Sequence, residues 1–92
     1  NQPGFMRHHS TAADLKHLPN GRSVQLAGLK SLIQKPPTAK GVCFVSLEDE
    51  TGIFNIVLMP DVYERVRTTL HLSNILEVKG VLQNQKGVVH IR

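Results

Sequence analysis

Ninety-two residues and a mass of 10.2 kDa leave room for one small domain and no second core. At 40% hydrophobic and 20% charged residues, the composition is that of an ordinary globular chain, neither disordered nor fibrous. A chain this short buries only about 60–65% of its unfolded surface, a thin core that excludes most independent enzymes. Eleven Lys and Arg against seven Asp and Glu give a net charge of +4, which favours an anionic partner.

The charges are unevenly spread. Arg22, Lys30, Lys35 and Lys40 lie between Gly21 and Leu47 with no acid among them, and Lys79, Lys86 and Arg92 follow Val78 in the same way. Five of the seven acids fall between Glu48 and Glu64. Cys43 is the single cysteine, so no disulfide framework is available, and a reducing, cytoplasmic setting is expected. No apolar run approaches membrane-spanning length and no signal peptide is evident. The first residue is Asn1 and a strand-like run ends next to Arg92, which reads as a module excised from a longer protein.

In chain order, residues 1–9 have no periodicity and read as a frayed lead-in. Ser10-Thr11 before Ala12-Ala13-Asp14-Leu15 predicts an N-cap and one or two helical turns, halted by Pro19-Asn20-Gly21. From Ser23 the pattern becomes β: Val24, Leu26 and Gly28 alternate with Gln25 and Ala27, and Leu29 to Ile33 follow. Gly28 inside that run predicts a bulge or tight bend, of the kind a closed barrel needs. Lys35 to Gly41, with two prolines, is a loop.

Val42 to Leu47 is a second strand and Ile53 to Met59 a third, joined by Glu48-Asp49-Glu50-Thr51-Gly52, in which Gly52 is free to take a positive φ. Pro60 opens a helix with Asp61 and Glu64 early and Arg65, Arg67 and His71 late, the order that suits the helix dipole. Val62, Val66 and Leu70 form its buried stripe, with Tyr63 beside them. Ile75 to Leu82 is a fourth strand, Asn84 to Gly87 a tight turn, and Val88 to Ile91 a fifth. There is no internal repeat and no low-complexity segment.

The order β-β-β-α-β-β with a kinked first strand predicts an all-β fold with one capping helix, the five-stranded Greek-key barrel called the OB-fold, preceded by a short N-terminal helical turn. An open sheet with one helix is the alternative, at the expense of exposed edges. The expected layout is a lead-in over residues 1–22 and the barrel over residues 23–92.

In an OB-fold the ligand crosses strands 2 and 3 between the loops joining strands 1–2 and 4–5. Here those loops are Lys35–Lys40 and Asn84–Gly87, both basic, which suits phosphate contact. Alternation turns Cys43, Val45, Leu47, Phe54, Ile56 and Leu58 inward, and leaves Phe44, Ser46, Glu48, Ile53, Asn55 and Val57 outside. An outward Phe44 beside Ser46 and Asn55 is the set expected of single-strand recognition: the ring stacks on a base, and the hydroxyl and amide reach its edge. The competing reading is that Phe44 covers the barrel or packs on another domain. The expected nucleic-acid-binding residues are therefore Lys30, Lys35, Lys40, Phe44, Ser46, Asn55 and Lys86.

Catalysis finds no support. Glu48-Asp49-Glu50 could suggest a metal-dependent nuclease, but neighbouring carboxylates on a strand point to opposite faces and turn acids explain the run. His8, His9, His17, His71 and His90 lack zinc spacing, Pro36-Pro37 occupies the only candidate phosphate loop, and no nucleophile motif occurs. No catalytic residue, metal or cofactor is expected.

The run from Lys35 to Gly52, KPPTAKGVCFVSLEDETG, resembles the C-terminal OB domain of bacterial error-prone C-family DNA polymerases, relatives of the DNA polymerase III alpha subunit. Those domains carry a segment like RPGTAKGVxFxTLEDETG, then an apolar strand and Pro-Asp. Ile53 to Met59 followed by Pro60-Asp61-Val62-Tyr63-Glu64-Arg65 fits that continuation, and Thr11–Leu15 and the Gly80–His90 ending are similar too. The likeness covers about residues 11–91; its specific part is TAKG with LEDETG, since LEDETG alone recurs among nucleic-acid-binding OB domains. This chain departs from the pattern at Pro37, where the family has Gly, and at Ile33 and Lys35, where it often has Arg, which weakens the electrostatic clamp and stiffens the loop.

The resemblance implies a parent DNA polymerase used in translesion synthesis, whose active site lies elsewhere. It also implies that Lys35, Lys40, Phe44 and Asn55 contact the strand. The expected partners are single-stranded DNA, the rest of the polymerase chain and other proteins of the translesion assembly, with no membrane and a monomeric isolated domain. A protein-docking domain is the second expectation. An anticodon-binding domain of a class II tRNA synthetase is the third, against which the Pro-Pro-Thr-Ala-Lys-Gly loop argues.

Overall fold

The computed structural model describes residues 9–83 and 87–91. Five strands, β1 (Ser23–Gln34), β2 (Cys43–Asp49), β3 (Gly52–Leu58), β4 (Ile75–Gln83) and β5 (Val88–Ile91), close into a barrel in the order β1-β2-β3-β5-β4. All neighbours are antiparallel except β3 and β5, and one helix, α1 (Pro60–Leu72), connects β3 to β4. The expected five-stranded barrel with a single helix is thus observed, and each predicted strand is present with ends shifted by no more than two residues.

Closure depends on β1, which serves two neighbours. Ser23–Leu29 pairs with β4, and Leu29–Gln34 pairs with β2, so Leu29 faces both Ile75 and Glu48. Where the sequence predicts a bulge or tight bend at Gly28, the structure shows a close approach to the hairpin with no register shift. A Cβ on Gly28 would lie 2.9 Å from the Glu48 carbonyl oxygen and 3.1 Å from the Phe54 ring. The register shift itself falls between Lys30 and Leu32, a bulge at Ser31, whose hydroxyl donates to the Ser46 carbonyl at 3.1 Å.

Leu26, Cys43, Val45, Leu47, Ile56, Leu82 and Val89 fill the interior, all fully buried. The inward alternation read from β2 and β3 is the one found. Among the described residues no polar side chain is buried, so the core is purely apolar. Burial pushes the Cys43 thiol pKa up, only partly offset by the Lys35 charge, which keeps the thiol protonated and inert.

Helix α1 closes one end of the barrel. Pro60 occupies its first turn with Asp61, and His71 its last, as the dipole favours. Val62, Tyr63 and Leu70 are buried with Val66 packed beside them, the predicted stripe. The C-terminal carbonyls have a cap that sequence reading did not foresee: the Lys30 ammonium donates to Leu70 O at 2.7 Å and His71 O at 3.1 Å. Lys30→Met should therefore lose about 1 kcal/mol of stability, read as a lower urea midpoint at unchanged slope.

The segment before β1 joins the barrel. Thr11 and Asp14 cap each other, Thr11 Oγ1 accepting from Asp14 N at 3.2 Å and Asp14 Oδ2 from Thr11 N at 3.0 Å, and a 3-10 turn over Ala13–Lys16 follows. Ala12 and Leu15 are buried in the core. Ser10 N donates to Gln25 O at 2.7 Å, and His9 pairs with Gln25 in a parallel bridge and reaches Glu77 at 3.0 Å. This covers part of the β1 edge that β2 leaves unpaired. The lead-in expected over residues 1–9 lies, apart from His9, outside the described residues.

Candidate nucleic-acid interface

Residues on β2 and β3 that point away from the core form the candidate face. Phe44 lies opposite Val57, Ser46 opposite Asn55 and Glu48 opposite Ile53. Phe44 is 39% exposed and Ile53 64% exposed. Ser46 donates its hydroxyl to Asn55 Oδ1 at 2.8 Å, which fixes the amide and leaves its NH2 without a partner among the described residues. A flat ring, a hydroxyl and an oriented pair of N–H donors thus share one open surface. That combination can stack on a base and bond its edge.

Val57 departs from expectation. Alternation leaves it outside, yet it is only 8% exposed. The parallel pairing of β5 on the far edge of β3 sets His90 beside it, and Phe44 flanks it on the other side. A valine between two ring-bearing neighbours is covered by them, and sequence alternation cannot register a neighbour 33 residues away.

The basic residues are deployed in different ways. Lys30 is held by the end of α1. The Lys35 ammonium sits 4.1 Å from the centre of the Tyr63 ring, a cation–π contact that anchors the loop between β1 and β2 on the helix. The hydroxyl of Tyr63 is in turn 2.8 Å from His71 Nε2. Lys40 is exposed at the loop's end, with φ 55 before Gly41 at φ 89, a left-handed pair that follows the 3-10 turn Pro37–Ala39. Lys86 lies outside the described residues. Of the seven predicted positions, the structure brings Phe44, Ser46 and Asn55 together, leaves Lys40 exposed, and commits Lys30 and Lys35 to contacts with α1.

The hairpin tip beyond Glu48 has the opposite character. Asp49 Oδ1 accepts from Thr51 N (2.8 Å), Thr51 Oγ1 (2.7 Å) and Gly52 N (3.1 Å), while Oδ2 accepts from Ala12 N at 2.8 Å. Partial burial would raise the Asp49 pKa, but these donors outweigh it and hold the carboxyl below its ordinary value. Asp49 is therefore structural, as the turn reading requires. A groove of about 480 Å³ lies beside the tip, with exposed Leu29 and Ile75 in its wall and Glu48 and Glu50 along it. Among the described residues no group of three or more His, Cys, Asp or Glu could hold a metal ion, and no helix is long and apolar enough to cross a membrane.

Sequence reasoning missed Lys16. It is exposed on the 3-10 turn, and it lines a cavity together with Asn55 and Gly87. A lysine five residues past the Ser10-Thr11 N-cap signal carries no mark of its place; only the docking of the turn on the hairpin brings it to this face.

Comparison with known proteins agrees with the barrel. The sequence profile of the family described as OB-fold nucleic acid binding domain matches residues 24–92. The error-prone DNA polymerase of Bdellovibrio bacteriovorus is 42% identical over 82 residues, covering 89% of this chain and 8% of that protein. That of Anaeromyxobacter dehalogenans is 48% identical over 82 residues, covering 89% of this chain and 7% of that protein. The chain thus spans less than a tenth of the length of these relatives. Among solved structures, asparaginyl-tRNA synthetase from Pyrococcus horikoshii superposes with a TM-score of 0.73 over 90% of this chain and 20% of that one, at 22% identity, a likeness of fold alone. The chain belongs to the family of OB-fold nucleic acid binding domains and matches the region of that kind in error-prone DNA polymerases.

Proposed function

We propose that this domain binds single-stranded DNA for an error-prone polymerase, holding the template strand during translesion synthesis while the chemistry takes place elsewhere in the parent protein. The observation that carries the reading is the exposed Phe44 beside the Ser46–Asn55 pair on the outer face of β2 and β3. Phe44 stacks on one base, Asn55 and Ser46 meet a base edge, and Lys35, Lys40 and Lys86 supply charge from the two flanking loops. Stacking is tolerant of sequence because every base has a π-face, which suits a polymerase that must accept damaged templates. The single buried thiol fits a reducing, cytoplasmic setting.

Titration of the ¹H–¹⁵N spectrum with oligo-dT at two salt concentrations tests this. Shifts should appear at Phe44, Ser46, Asn55 and the Lys35–Lys40 loop, and affinity should fall with log salt at a slope of about −2 to −3.5 for three to five phosphates. Phe44→Ala should weaken binding by about 1–3 kcal/mol, roughly 5- to 150-fold, with little change in thermal stability. A preference for a defined RNA loop over oligo-dT would point instead to an anticodon-type reader.

Protein docking is the second reading, favoured by the groove beside the hairpin tip. Leu29 (53% exposed) and Ile75 (65% exposed) stand there next to the free carboxylates of Glu48 and Glu50. That surface repels phosphate and suits a basic, apolar segment from the rest of the polymerase. If it is the main contact, oligo-dT at millimolar concentration leaves Phe44 unshifted, and Leu29→Lys with Ile75→Lys loosens the domain within the full-length polymerase, read as faster limited proteolysis.

A further inference from the structure

The hairpin face does not end at Asn55. Beyond it lies a cavity of about 240 Å³, formed where the N-terminal 3-10 turn docks against the start of β3 and the turn into β5. Its walls come from three separate parts of the chain: Ala12, Leu15 and Lys16 from the 3-10 turn, Ile53 and Asn55 from β3, and Gly87 from the β4–β5 turn. Ala12 and Leu15 are buried and give it an apolar floor, and Ile53 is an exposed aliphatic wall. Asn55 is fixed by Ser46 through its oxygen, so its NH2 donors remain available at the rim. Gly87 adopts φ +64, and a Cβ there would meet nothing within 4 Å, so the backbone turns past an open space.

We infer that this cavity is a nucleobase subsite for single-stranded nucleic acid, which takes the base next to the one stacked on Phe44. The inference rests on the reading of this face as a nucleic-acid surface. Size and chemistry both fit. A planar heterocycle needs apolar contact on its faces and a few hydrogen-bonding groups at its edge, which Ile53 with Leu15 and the Asn55 amide provide. The spacing fits as well. Asn55 is two residues along and one strand across from Phe44, roughly 8 Å by strand rise and inter-strand separation, a step that an extended single strand can span with one nucleotide at each site. The charge pattern sets the phosphate. Glu48, paired opposite Ile53, disfavours an anion on its side of the cavity, and Lys16 is the cation in the wall for the phosphate that follows the captured base.

The test uses (dT)6 and a set of the same oligonucleotide with one abasic sugar at each position in turn. With intact (dT)6, amide shifts at Lys16, Ile53, Asn55 and Gly87 should accompany those at Phe44. Two abasic positions should each weaken binding about tenfold. Phe44→Ala should erase the penalty at one of them, and Ile53→Ser, an exposed substitution, the penalty at the other. Lys16→Gln should reduce the salt slope by about 0.7, one phosphate's share on a single strand, with the spectrum itself reporting that the fold is intact. Shifts and an abasic penalty confined to Phe44 and Ser46, with Lys16 and Gly87 silent, would overturn the subsite and leave the DNA-binding reading standing. Failure of every oligonucleotide to shift Phe44 would overturn both.

Discussion

Gly80→Ala should destabilise the barrel by about 3 kcal/mol, near the upper end for overpacking. Gly80 lies on β4 opposite Ile91 of β5, and a Cβ there would run into the His90 carbonyl oxygen and come within 2.9 Å of the Val89 side chain. The obstacle is β5 backbone, which cannot rotate away as a side-chain tip can. β5 has only four residues, and it joins β4 to β3, so pushing it outward opens the barrel. The usual gain from replacing glycine, about 0.4–1 kcal/mol through the unfolded chain, is too small to compensate. A domain of this length has a total stability of about 5–14 kcal/mol, and its midpoint should fall by about 12–24 °C at 4–8 °C per kcal/mol. Thermal circular dichroism gives the answer: a melting temperature within 2 °C of the wild type would mean that β4 and β5 do not approach as described.

Asp49→Ala should cost about 3 kcal/mol, because one carboxylate serves both the β2–β3 turn and the docked N-terminal segment. Four donors lose their acceptor, and the bonds from the backbone N–H groups of Ala12 and Gly52 are the partly buried ones among them. Hydrogen bonds to a charged group contribute about 1.5–3 kcal/mol each, less where water can replace them, as it can at the exposed Thr51. The same bonds set a pH dependence. The folded pKa is held below its unfolded value, so the Asp49 contribution is complete above the ordinary Asp pKa and is lost as pH falls through the lowered one. Urea midpoints for wild type and Asp49→Asn should therefore differ at pH 7 and converge under strongly acidic conditions. A constant difference across that range would show that the carboxylate charge is not what the donors hold. Loss of this anchor should also loosen the 3-10 turn that carries Lys16 against the hairpin.

The two ends of the outer hairpin face carry different chemistry. Phe44, Ser46 and Asn55 present a ring and hydrogen-bonding groups, while Leu29, Glu48 and Ile75 present apolar surface with carboxylates. The carboxylates of the second end disfavour phosphate, whereas the three residues of the first carry no charge. A strand lying on the Phe44 end would leave the other end free for protein.

Local pattern was enough for the elements. Alternation through Cys43, Val45 and Leu47 and through Phe54, Ile56 and Leu58 defined which side of each strand is buried, since a one-residue slip would expose those six side chains. Pro60, the spacing of Val62, Val66 and Leu70, and Gly52 after the acidic turn marked where the chain changes direction, because each restricts backbone geometry on its own. Those elements, in that order, pointed to the barrel, and the KPPTAKG and LEDETG runs pointed to the family. What depends on residues far apart in the chain stayed hidden. The parallel pairing of β3 with β5 covers Val57, the docking of α1 turns Lys30 into a helix cap and holds Lys35 on Tyr63, and the bond from Ala12 N to Asp49 draws the turn that carries Lys16 to the hairpin. A lysine looks the same in sequence whether its ammonium meets a phosphate, a carbonyl or an aromatic ring. Only the closed barrel, by bringing those partners within 3–4 Å, decides which.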